Sequence, residues 1–143
     1  MELTLDLICH HLPDCAPASP VCRIGVQEKK DVREAAAYAG LTEIRLRVQL
    51  QAEANPPRFK GPAVQGTPAE PFIYLSWGDW VEGVWVMRQR SKIQLNTIPA
   101  ELLAKALAGG DGLQVRLRLS GADGKAITGS LKPADMEWSL AGA

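Results

Sequence analysis

The alternation of apolar and polar residues through Ile44-Arg45-Leu46-Arg47-Val48-Gln49-Leu50-Gln51-Ala52 constrains this chain more than any other feature. Every second residue is apolar and every intervening one polar, the pattern of an extended strand with one dry face and one wet face. Leu113-Gln114-Val115-Arg116-Leu117-Arg118-Leu119 repeats it, and Leu3, Leu5, Leu7 and Cys9 alternate with Glu2, Thr4, Asp6 and Ile8. Half-wet strands are the habit of antiparallel sheets, so three antiparallel strands are expected here. Further strands are expected over 21–27, 72–77, 84–88, 92–95 and 136–140. The Asp123-Gly124 pair suits the positive φ of a tight hairpin and should turn the chain into another strand near 126–131. About eight short strands at this spacing read as a mainly β fold, a two-layer antiparallel β-sandwich.

Helix is scarce. Pro99-Ala100-Glu101-Leu102-Leu103-Ala104-Lys105-Ala106-Leu107-Ala108 is the strong candidate, opened by proline, closed by Gly109-Gly110, and carrying Leu103 and Leu107 on one side. A shorter helix is expected over 32–39, where Asp31 and Glu34 have capping-box spacing and Gly40 supplies a stop. The stretch 55–71 holds half of the chain's ten prolines and reads as a long ordered loop.

At 143 residues a chain of this kind fits one domain, 1–143, and buries about 68% of its unfolded surface, so it needs no disulfide or metal to fold. The formal net charge is zero, which argues against non-specific attraction to nucleic acid or membrane. Acids stand near the N-terminus, at Glu2 and Asp6, where a secretory leader would carry cations. No window approaches the roughly 18 uninterrupted apolar residues of a membrane span. With an odd count of three cysteines, which makes no disulfide framework, a cytoplasmic location is expected.

The strand Phe72-Ile73-Tyr74-Leu75-Ser76-Trp77 places Ile73, Leu75 and Trp77 on one side and Phe72, Tyr74 and Ser76 on the other, and neither side is wet. Val84-Trp85-Val86-Met87 is also apolar on both faces. Strands of this kind need a second cover, for which the 99–108 helix, the 55–71 segment and a second copy of the chain are the candidates.

All histidines and cysteines fall in Cys9, His10, His11, Cys15 and Cys22, with Asp14 among them. Adjacent Cys9 and His10 point to opposite faces of a strand, and the gaps to Cys15 and Cys22 exceed the two to four residues of a zinc knuckle. No metal site is expected, and no cofactor is implied. No nucleophile elbow, phosphate loop or dinucleotide fingerprint occurs. Carboxylate chemistry would require Glu28, Asp31, Asp79 and Glu82 to converge, and solvated acids are the simpler reading. A cationic strip of Arg45, Arg47, Arg116 and Arg118, joined by Arg58, Lys60, Arg88, Arg90 and Lys92 beside Trp77, Trp80 and Trp85, would suit single-stranded nucleic acid or an anionic ligand. The zero net charge weighs against it.

The favoured site is the segment 58–71 with the aromatic strand after it. Gly61 and Gly66 allow close backbone approach, the prolines hold one shape, and Arg58, Lys60, Gln65 and Thr67 offer donors beside Tyr74 and Trp77. Its plainer reading is a rigid connection covering a sheet edge.

Three segments, Ile24-Gly25-Val26-Gln27-Glu28-Lys29-Lys30, Arg58-Phe59-Lys60-Gly61-Pro62 with Gly66-Thr67-Pro68, and Phe72 to Trp77, resemble the markers of a small bacterial domain-of-unknown-function family, number 5990. The resemblance spans residues 1–140 and implies a bacterial, single-domain, stand-alone protein, with no activity to carry over. The reading reached is a non-enzymatic module that binds a small ligand or protein through 58–71 and the aromatic strands, with nucleic acid and membrane disfavoured as partners. Two alternatives stay open: a small enzyme using loop carboxylates, and a homodimer or larger self-assembly formed through the aromatic sheet face.

Overall fold

The computed structural model describes residues 1–13, 20–26, 32–61, 63–64, 67–68, 70–121 and 129–141. One five-stranded sheet contains β1 (Glu2–His10), β4 (Glu43–Ala54), β5 (Pro57–Phe59), β10 (Leu113–Arg118) and β12 (Met136–Leu140), in the order β12-β10-β1-β4-β5. The other contains β2 (Val21–Val26), β3 (Val32–Ala37), β8 (Phe72–Val81), β9 (Val84–Gln94) and β11 (Gly129–Ser130), in the order β11-β9-β8-β2-β3. A short ribbon pairs β6 (Ala63–Val64) with β7 (Thr67–Pro68). The fold is thus mainly β, two packed sheets with one short helix, as the alternation implies. No helix among the described residues is long and apolar enough to cross a membrane.

The dry faces meet in the middle. Leu3, Leu5, Leu7 and Cys9 of β1, Ile44 to Leu50 at alternate positions of β4, and Leu113, Val115 and Leu117 of β10 face Cys22 and Ile24 of β2, Ile73, Leu75 and Trp77 of β8, and Ile93 of β9. At about 25 cal/mol per Å² of apolar surface removed from water, this contact is the main favourable term of the fold. Trp77 lies wholly inside it, donating from Nε1 to Ser91 Oγ at 3.4 Å and meeting the Tyr38 ring edge-on at 5.4 Å.

Several expectations are corrected. β1 and β10 run parallel, Leu5 opposite Leu113 through His10 opposite Arg118. Alternation fixes which side is dry and carries no information about direction. The 32–39 helix is instead the edge strand β3, with Cys22 opposite Ala36. Helix propensity at Ala35, Ala36 and Ala37 amounts to a fraction of a kcal/mol per residue, which pairing along β2 overrides. The stretches 84–88 and 92–95 are one strand, β9. Trp77 pairs with Gln89 while Gly78 pairs with Met87, so Arg88 is the extra residue of a bulge, and the polar run that looks like a break is a kink in a continuous ladder. Gly78 is required there, since a Cβ would stand 2.1 Å from the Val86 carbonyl oxygen. Residues 122–128 lie outside the described residues. The next strand, β11, joins β9 in the second sheet, and the antiparallel neighbour of β10 is β12. The stretch 55–71 is partly laddered, with β5 on β4 and β6 on β7.

The helix α1 (Ala100–Gly109) forms where expected and ends on Gly110 at φ 68°. It packs against β5 and β12, the two outermost strands of the first sheet, and sends Leu103, Ala106 and Leu107 into the core. Its role is to close the core, so it is not the cover of the second sheet's outer face.

Candidate functional site

The outer face of the second sheet supplies its own cover. Ile73, Leu75 and Trp77 point inward, so Phe72, Tyr74 and Ser76 point outward. Tyr74 is nonetheless only 1% exposed and Ser76 6%. Cations from the flanking strands lie over the rings: Arg90 over Tyr74 at 4.5 Å, Lys92 over Phe72 at 4.1 Å, and Arg23 over Trp85 at 4.7 Å and Trp80 at 5.3 Å. Each contact is worth about 0.5–1 kcal/mol at the surface and more where desolvated, and the aliphatic stems shield the apolar edges below.

Register explains the placement. Ser76 stands between Arg23 on β2 and Arg90 on β9, and Lys92 stands opposite Tyr74. Trp80 and Trp85 face one another nearer the hairpin tip, with ring centroids 5.6 Å apart. Among the described residues Arg23, Arg90 and Lys92 form no ion pair, whereas the neighbouring Arg88 is engaged by Asp79 at 3.2 Å. Beside Arg23 a cavity of about 170 Å³ is lined by Arg23, Val32, Tyr74, Ser76, Trp85 and Met87. Beyond it the β8–β9 hairpin exposes Trp80, 56% accessible, and Met87 on the same face, while Val81 and Val84 next to the turn alternate to the other face.

The residues singled out from sequence are dispersed. Arg58 and Lys60 lie on the far edge of the first sheet, both bound to Glu53, at 2.8 Å and 3.8 Å. The hydrogen bond from Arg58 holds the Glu53 carboxyl below its usual range. Beside them Phe59 is buried, and Asn96 ties this edge to Glu70. Gln65 lies outside the described residues, and Thr67 is described only as backbone in β7. Tyr74 reaches the outer face, while Trp77 belongs to the core on the opposite face of the same strand. Arg23, Val32 and Met87 were not legible as partners of Tyr74, because their proximity depends on strand order and register. The available signal was Val84 to Met87, apolar on both sides beside an equally dry strand.

The other candidates separate likewise. Arg45, Arg47, Arg116 and Arg118 belong to the first sheet and Trp80, Trp85, Arg90 and Lys92 to the second, so no continuous cationic strip forms. On the first sheet Arg47 is held by Asp6 at 2.6 Å, and Glu43 takes Arg45 and Arg116. His10 and His11 meet Nδ1 to Nδ1 at 2.6 Å. Burial, then His11 and Arg116, push His10 below the ordinary histidine range. Among the described residues no three His, Cys, Asp or Glu side chains gather as a metal site requires. Asp14, Cys15, Glu28 and Asp31 lie outside them. Asp79 is committed to Arg88, and Glu82 occupies the hairpin turn.

No curated protein and no solved structure matches this chain. A family model does match, over residues 3–141, and by that match the chain belongs to DUF5990, a family of unknown function.

Proposed function

We propose that this protein is a cytoplasmic, non-enzymatic binding module whose recognition surface is the outer face of β2, β8 and β9. The observation that carries this reading is the cavity lined by Arg23, Tyr74, Trp85 and the exposed Met87, whose one lining cation, Arg23, forms no ion pair among the described residues. Apolar walls with a few polar groups are the usual make-up of a recognition site. The commitment of Asp79 to Arg88 favours binding over carboxylate catalysis. The buried free thiol of Cys9 accords with a reducing compartment. In this reading Tyr74 stays at the centre of the site. Arg58 and Lys60, neutralised by Glu53, serve the sheet edge, and Trp77 supports the strand from behind.

Thermal melting against a panel of acidic, neutral and basic amphipathic small molecules and short peptides tests the surface. At least one class should stabilise the native protein, by about 2.7 kcal/mol at a hundredfold excess over Kd, and fail to stabilise Met87→Glu, which places a carboxylate in the cavity wall. A panel with no effect, or with equal effects on both proteins, would remove the proposal.

A further inference from the structure

The cavity is small. At about 170 Å³ it falls below the roughly 300–1,000 Å³ of pockets that enclose a small molecule, and its size suits a single apolar side chain projecting from something larger. What surrounds it narrows the choice. Arg90 and Lys92 lie two residues apart on β9, about 6.6 Å along the strand at roughly 3.3 Å per residue, and both stand on the outer face over Tyr74 and Phe72. An extended peptide presents alternate side chains on one side at that same repeat. Arg23 adds a third positive charge on the other side of Ser76.

Other occupants fit less well. A two-fold contact between copies of this face would set Arg23, Arg90 and Lys92 against their own equivalents. Insertion of the hairpin tip into a lipid surface would drive Glu82, at the apex between Val81 and Val84, in first. Single-stranded nucleic acid needs open ring faces for stacking, and here Tyr74 is buried and the other rings already carry cations.

We infer that the face binds an extended acidic segment of a partner protein, one apolar side chain seated in the cavity between Arg23, Tyr74 and Met87 and alternate carboxylates meeting Arg90 and Lys92. This rests on the reading of the face given above. Docking of the segment desolvates Arg90 and Lys92 against its carboxylates, forming charge-assisted hydrogen bonds.

Isothermal titration with a short acetylated peptide in which one leucine and two glutamates occupy successive alternate positions, with serine between them, so that all three share one side when extended, tests the inference. Controls are a lysine–leucine peptide of the same length, oligothymidylate, and vesicles of mixed phosphatidylserine and phosphatidylcholine. The acidic peptide should bind, weaken as sodium chloride is raised, and lose roughly tenfold or more in affinity to the Arg90→Gln, Lys92→Gln double variant, which should keep the native circular dichroism spectrum and melt only a few degrees lower for the loss of two ring contacts. Equal binding of the lysine–leucine peptide, indifference to the double substitution, or binding of only the oligonucleotide or the vesicles would overturn it. If the acidic peptide fails while a neutral or basic panel compound still stabilises the native protein and not Met87→Glu, the partner assignment falls and the surface stands. If nothing binds, both fall.

Discussion

At Cys9 the thiol sits between the sheets, fully buried, and burial, with a smaller contribution from Glu43, pushes its pKa up from 9.0 to about 12. Folded protein therefore keeps this proton at pH values where the unfolded chain has lost it. The unfolded state binds fewer protons there, so stability falls as pH rises. The contribution is intact below about pH 9 and drains between 9.0 and about 12, at up to ~1.4 kcal/mol per pH unit. Urea denaturation of native and Cys9→Ala protein across this window should show the steeper alkaline decline in the native chain, since every other group is common to both. Parallel curves would mean that the thiol is solvated in the folded state. The same burial makes Cys9 a structural thiol, inert toward alkylation until the sheets separate.

The β8–β9 hairpin is the element on which the proposed surface depends. Its two-residue turn puts Glu82 at φ 50° and Gly83 at φ 79°, the geometry of a type I′ turn, whose twist matches that of the flanking strands. Glycine suits the second position. Glutamate at the first is strained, because a side chain in the left-handed region crowds its own backbone unless it is short and polar, as in asparagine. Glu82→Asn should stabilise the protein by about 0.5 kcal/mol, raising Tm by roughly 1–3 °C, with the surface chemistry otherwise unchanged. A lower Tm would mean that Glu82 contributes through its carboxylate. How much of this element was legible follows from what a period of two encodes. It assigned Ile73, Leu75 and Trp77 to one side and Tyr74 to the other, as found. It could not register Arg88 as a bulge residue, because that depends on which residue of the partner strand stands opposite. Nor could it bring Arg23 to Trp85, a contact made across β8 from β2. Arg58 and Lys60 drew attention by composition, and their partner, Glu53, is a hairpin neighbour that only the fold identifies.

Across the whole molecule the formal charge of zero is a sum over two unlike faces. On the first sheet the charges neutralise one another, Asp6 with Arg47 and Glu43 with Arg45 and Arg116, and even Ile8 is nearly covered between Arg45 and Arg116. On the second, Arg23, Arg90 and Lys92 rest on rings beside an exposed apolar patch that contains Trp80 and Met87. Such a patch invites self-association, and like charges around it oppose any isologous contact. The cations therefore have two consequences, attraction of an acidic partner and rejection of a second copy. Sedimentation velocity separates the second from the first without any ligand. The native chain should run as a 15.5 kDa monomer, and the triple variant Arg23→Gln, Arg90→Gln, Lys92→Gln should shift toward roughly twice that mass as concentration rises. High salt should move the native protein in the same direction, by screening the repulsion while leaving the apolar patch attractive. A native dimer would favour the homodimer reading of the aromatic face. A triple variant that stays monomeric in all conditions would show that the patch is too small to self-associate, and that the guarding role assigned to the three cations is not needed.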